Sequence, residues 1–133
     1  MRSAYRILSY IIAIEVVVQA SMIAFAFAGL GVWVDKEGGV LDKAAMESDL
    51  NFTGVIGFAV HGINGMMIIP LLALVLLIVS FFAKVPRGIP WALTVLGLVV
   101  LQVTLGLSGH ESAYFGMLHG INALVLFTVA LMA

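Results

Sequence analysis

Residues 52–82 read FTGVIGFAVHGINGMMIIPLLALVLLIVSFF, and no charged residue lies between Asp49 and Lys84. At 1.5 Å of rise per residue, such a run is longer than a hydrocarbon core of roughly 30 Å. It predicts a membrane-spanning helix that tilts or protrudes, kinked at Pro70, whose ring removes a backbone donor and clashes with the preceding turn. Near its start stands His61-Gly62-Ile63-Asn64, and the same tetrapeptide returns as His119-Gly120-Ile121-Asn122 in the last apolar run.

The whole chain repeats the character of that stretch. Of 133 residues, 63% are hydrophobic and 10% charged, with a mean hydropathy of +1.21. Apolar residues arranged in long runs at this density specify an integral membrane protein. The net charge of −1 and the lack of any long basic tract exclude nucleic acid as a partner. There are no cysteines, which excludes disulfides, iron–sulfur clusters, thiolate zinc sites and cysteine nucleophiles. A metal here would take nitrogen, oxygen or methionine sulfur.

Working outward from residues 52–82, a first span is expected at about 7–34, behind Arg2 and Arg6 and interrupted by Glu15 and Gln19. The hydrophilic segment 35–51 forms an outer loop with one short surface helix within 41–50. The turn Lys84-Val85-Pro86-Arg87-Gly88-Ile89-Pro90 leads to a third span at 91–108, opened by Trp91 as an interfacial anchor. After Gly109-His110-Glu111-Ser112, a fourth span fills 113–133. Arg2, Arg6, Lys84 and Arg87 fall on one side, so the positive-inside bias puts both termini in the cytoplasm and the chain in the inner (plasma) membrane.

The apolar runs also repeat in register. Val16-Val17-Val18-Gln19-Ala20-Ser21-Met22 on the first span parallels Val99-Val100-Leu101-Gln102-Val103-Thr104-Leu105 on the third, and each is followed by a helix carrying His-Gly-Ile-Asn. The expected fold is therefore all-α, an integral membrane four-helix bundle built as a duplicated two-helix hairpin, in one domain of residues 1–133. Both motif helices descend from the outer face, with His61 about nine and His119 about six residues in, so both lie roughly 9–14 Å below the boundary. Facing each other, they would supply two axial imidazole nitrogens to one iron, with neutral rings and a flat cavity between helices.

The neighbours suit a cofactor. Gly62, Gly65, Gly116 and Gly120, with Gly57, thin the helix surfaces for a macrocycle or a close helix. Asn64 and Asn122 lie three residues beyond each histidine, near the same face, placed to hold its second nitrogen or to bond across the bundle. Gln19 and Gln102 stand at similar depth. The competing reading makes these polar groups interhelical glue between small-residue faces, the usual device of membrane helices. Glu15 is costly in a span if ionised and marks a protonated acid, a polar cavity or a subunit contact. Met66, Met67 and Met117 read as packing and His110 as a loop residue.

The order Gln102-Val103-Thr104-Leu105-Gly106, then His119, with His61 on the helix before the pair, resembles one four-helix half of the haem A synthase family. That resemblance implies haem b, one per chain, bound by His61 and His119. Three family features are missing: residues 53–60 hold no acid, only one four-helix half is expected, and no outer-loop cysteine pair exists. What carries over is the haem-holding scaffold rather than methyl oxidation. The stretch Leu118-His119-Gly120-Ile121-Asn122-Ala123-Leu124 is also similar to a family of small, uncharacterised four-helix bacterial membrane proteins.

These readings lead to a small haem b-binding membrane protein, a one-electron relay or an accessory subunit of a respiratory or redox complex. Two filled axial positions favour electron transfer over oxygen binding. The alternative is a haem-free structural or assembly subunit that binds lipid or a membrane-protein partner, and a quinone or small-lipid pocket on the same histidines is a third reading. No Gly-rich phosphate loop, His-Glu-x-x-His helix or Ser-His-Asp constellation supports a stand-alone enzyme. Lipid, other membrane subunits or further copies of the chain would cover the long apolar faces.

Overall fold

The computed structural model describes residues 1–46 and 50–133, and among these every regular element is helical. In chain order they are α1 (Arg2–Lys36), α2 (Lys43–Met46), α3 (Ile56–Ile63), a π-helical segment (Asn64–Ile68), α4 (Ile69–Ala83), α5 (Gly88–Ser108) and α6 (Ala113–Met132). The segment from Ile56 to Ala83 runs as one helical span, and with α1, α5 and α6 it gives four helices long and apolar enough to cross a membrane. The chain thus has the make-up of a multi-pass membrane protein.

Several boundaries differ from the sequence expectation. Helix α1 begins at Arg2 rather than near residue 7, because its first turns are held: Tyr5 is fully buried and its hydroxyl donates to the Gly88 carbonyl at 2.9 Å. The second span starts at Ile56 rather than 52. Gly54 turns the chain just before it at φ +101°, a conformation open chiefly to glycine. Helix α5 starts at Gly88 rather than 91, with Pro90 inside its first turn, where the missing donor has no intrahelical partner to lose. Helix α6 opens on Ser112, whose hydroxyl accepts from the Tyr114 amide at 3.3 Å, an N-cap. The surface helix is the single turn α2, and residues 47–49 of the expected outer loop lie outside the described residues.

Pro70 is accommodated by a change of helix type. It cannot donate to the Met66 carbonyl, and its ring crowds that group. The turn before it, Asn64–Ile68, winds as a π-helix, the wider form that commonly appears as a single-turn insertion at such defects.

The described residues form two compact units, residues 1–17 with 65–133, and residues 18–64. In the first, the buried stripes follow helical spacing: Tyr5, Ser9, Ile12 and Val16 on α1; Ile69, Ala73, Leu76 and Ser80 on α4; Ala92, Val95 and Val99 on α5; Asn122, Leu126 and Ala130 on α6. Small side chains recur in these stripes, as Ser9 on α1, Ala73 and Ser80 on α4, Ala92 on α5 and Ala130 on α6, which brings helix backbones close where no hydrophobic effect drives them together. Ser9 donates to the Tyr5 carbonyl at 3.1 Å and Thr104 to the Val100 carbonyl at 2.9 Å, each within its own helix, so these hydroxyls cost little in an apolar setting. Leucines, isoleucines, valines and phenylalanines line the outward faces, among them Leu124 at 70% and Ile78 at 58% exposed, as helices facing lipid require.

In the second unit, the segment before α3 lies directly on α1. A Cβ at Gly29 would collide with the Thr53 carbonyl oxygen, and one at Gly57 with that of Met22. Rings close the top of this contact: Trp33 stacks on Phe52 at 5.9 Å between centroids, and Phe58 meets Phe27 edge-on at 5.3 Å.

Candidate cofactor site

On α6, His119 and Asn122, one turn apart, would be expensive in lipid unless paired, and the pairing is with α5. The His119 Nδ1 lies 3.0 Å from the Gln102 carbonyl oxygen. Because a carbonyl only accepts, Nδ1 carries the proton, and the lone pair of the neutral ring is on Nε2. Gln102 answers in kind, its Nε2 donating to the His119 carbonyl at 3.0 Å. Asn122, 6% exposed, donates to the Gln102 Oε1 at 2.6 Å and to the Leu98 carbonyl at 3.0 Å. Both amides therefore lock α6 onto α5 and set the histidine's tautomer through the backbone.

Gly106 completes this arrangement. A Cβ there would stand 3.1 Å from His119 Cε1 and 3.2 Å from Nδ1, so the imidazole packs this closely against α5 only because position 106 has no side chain. Gly106 belongs to the Gln102–Gly106 stretch of the sequence but not to the expected site residues. Its signal was its place four residues after Gln102, on the same helix face.

The first motif carries the same anchor. The His61 Nδ1 lies 3.1 Å from the Gln19 carbonyl oxygen on α1, which again fixes the proton on Nδ1 and the lone pair on Nε2. The surroundings then diverge. The Gln19 side chain is buried, 9% exposed, and neither its Nε2 nor its Oε1 has a hydrogen-bond partner. In place of the regular α-helix that follows His119, Asn64 opens the π-helical segment and its backbone N–H reaches both the His61 and Val60 carbonyls. Asn64 and Gly65 are half-buried.

The expected glycines split into two kinds. Gly57 is a packing residue against Met22 and Ala26, whereas Gly62, Gly116 and Gly120 have no atom within 4 Å of where a Cβ would stand. The helix surface beside each histidine is thus open rather than covered by a neighbouring helix. Glu15 is half-buried on α1, and His110 is exposed in the α5–α6 turn.

Among the described residues, no group of three or more histidine, aspartate, glutamate or cysteine side chains is placed to hold a metal ion. A metal at these histidines would need to bring most of its own ligands, as a macrocycle does.

Residues 51–109 match the model of a family of unknown function, DUF6220. The matched segment takes in His61, Asn64 and Gln102 and stops short of His119. No curated protein and no solved structure matches the chain.

Proposed function

We propose that this is a small haem b-binding membrane protein, with His61 and His119 each supplying one axial nitrogen, and that it serves as a one-electron relay or accessory subunit of a redox membrane complex. The observation that carries this reading is the pair of matched anchors, Nδ1 to a glutamine carbonyl at 3.1 Å for His61 and 3.0 Å for His119. A metal-ligating histidine characteristically donates its other ring nitrogen to a carboxylate or backbone carbonyl, which fixes the tautomer and raises the basicity of the ligating nitrogen. Two histidines set to the same tautomer by the same device suit a donor set of two neutral imidazoles, and iron in a porphyrin needs no further protein ligand.

The rest of the site fits the group. Gly62 beside His61, and Gly116 and Gly120 beside His119, each leave open the helix surface next to their own histidine, which would suit a flat macrocycle, and the orphaned Gln19 amide is a buried polar group with bonding capacity to spare. When bound, the haem supplies a one-electron iron(III)/iron(II) couple. The chain's own residues do the remaining tasks: the Gln19 and Gln102 carbonyls orient the imidazoles, Gln102 and Asn122 fasten α6 to α5, and the apolar spans exclude water. On this reading the chain is a duplicated two-helix hairpin lying in the plasma membrane with its basic end and both termini in the cytoplasm.

A second reading is favoured by one observation. The Gln102, His119 and Asn122 bonds interlock, as interhelical glue does, and this suits a haem-free assembly subunit covered by lipid or partner helices. The haem content of protein purified from haem-replete cells separates the two. The proposal predicts one b-type haem per chain, reduced severely in both His61→Ala and His119→Ala while helicity is retained. Haem-free wild-type protein would leave the assembly reading in its place.

A further inference from the structure

Gln19 and Gln102 hold matching places in the repeated stretches 16–22 and 99–105, and the backbone carbonyl of each meets a histidine Nδ1. Their side chains are used differently. The Gln102 amide is committed within the protein, its Nε2 to the His119 carbonyl at 3.0 Å and its Oε1 to Asn122 at 2.6 Å. Gln19 is the more deeply buried of the two, 9% exposed, yet neither its Nε2 nor its Oε1 has a hydrogen-bond partner among the described residues. A primary amide left in this condition bears its full desolvation cost, and such exceptions in native proteins mark functional groups or places that a bound species fills.

Gln19 adjoins the histidine site through its own backbone, since its carbonyl is the acceptor that sets the His61 tautomer. At the rim of haem b the hydrogen-bonding substituents are the propionate carboxyl groups, and a primary amide complements them in either charge state. Toward a carboxylate, the Nε2–H group forms a charge-assisted bond, about twice as strong as a neutral one and stronger again where water is excluded. Toward a protonated carboxyl group, Nε2 donates to the C=O and Oε1 accepts from the O–H, which uses both of the atoms that the protein leaves unpaired.

We propose that the Gln19 side chain is a cofactor-binding residue that hydrogen-bonds a propionate of the haem held by His61 and His119. This rests on the haem reading and adds a selectivity to it: the site takes a porphyrin with free carboxyl groups. The two glutamines divide the task, Gln102 holding helix to helix and Gln19 holding the ligand. Because its bonds form only in the loaded protein, the Gln19 amide costs stability in the haem-free chain and adds affinity for haem.

The test is a double-mutant cycle read from Soret absorbance titrations of the full chain in mild detergent. Wild type and Gln19→Leu are each titrated with haem b and with its dimethyl ester, in which the carboxyl groups are blocked. Esterification should weaken binding by about tenfold more in wild type than in Gln19→Leu, the factor that one hydrogen bond to a charged group contributes. Gln19→Met, which keeps the length of the side chain without its amide, should match Gln19→Leu and serves in its place if that variant does not fold. Gln102→Leu should keep the wild-type response to esterification, because its amide is already committed within the protein. An equal effect of esterification in wild type and the Gln19 variants, or an effect lost equally in Gln102→Leu, would overturn the assignment while leaving the haem reading in place. A wild type that binds neither porphyrin would overturn the haem reading and this assignment with it.

Discussion

Gln19 and Gln102 are the same residue type at matching places in the sequence, and their backbone carbonyls do the same work, yet their side chains do not. The Gln102 amide has a partner at each end, while both ends of Gln19 are buried and unpartnered. A buried polar atom without a partner carries its full desolvation penalty, on the order of 1–3 kcal/mol. Gln102→Leu should therefore lower stability by about 1–2 kcal/mol, because it removes two interhelical bonds and leaves Asn122 with one fewer. Gln19→Leu should melt at or above wild type in the haem-free protein. Thermal melts followed by circular dichroism in one detergent check both signs. Gly106 gives the other residue-scale prediction. Gly106→Val places methyl groups where the His119 ring now lies, so its haem content should fall toward that of His119→Ala, and Gly106→Ala should be milder because the ring needs to give only a few tenths of an ångström. The His-Gln-Asn pattern was legible in the sequence because intramembrane polar residues are few and their spacing matched. The asymmetry between the two glutamines was not, since it depends on which side chains reach each amide in the folded chain.

The winding of the helix after His61 belongs to the element scale. The four spans were legible from uninterrupted apolar runs and from the polar turns between them, and Pro70 marked the disturbance in the second. The form it took, a π-helical turn at Asn64–Ile68, has no compositional signature, because an i→i+5 turn is built from the same residues as an α-turn. The early start of α5 and the early start of α1 escaped for a related reason: proline reads as a breaker although it is tolerated in a first turn, and the fixing of Arg2–Tyr5 depends on the distant Gly88 carbonyl. Pro70→Ala restores the missing donor to the Met66 carbonyl and removes the clash. Backbone amides from Asn64 to Ile69 should then exchange more slowly with deuterium as the segment returns to α-geometry. Unchanged exchange would mean that something other than Pro70 holds the π-turn.

At the scale of the whole molecule, composition dictated the solvent: a chain this apolar has too little polar surface to face water, and most of each span's side chains are left for lipid. The charge pattern predicts orientation. Four cations cluster at the end that holds the start of α1 and the α4–α5 turn, while acids populate the other loops, and basic loops stay in the cytoplasm. The absence of native cysteines makes this directly measurable. In intact cells, a membrane-impermeant maleimide should label Ser112→Cys and spare Ser3→Cys until the membrane is opened. The reverse labelling would invert the topology.

The central claim is that two histidines, each fixed to one tautomer by a glutamine carbonyl, are haem ligands. Its most direct test is the absorbance spectrum of the air-oxidised and dithionite-reduced protein in mild detergent, with His61→Ala and His119→Ala measured alongside. The account predicts the sharp reduced bands of a low-spin b-type haem in wild type and their loss in either variant. A colourless wild type from cells with ample haem, or bands that survive both substitutions, would contradict it.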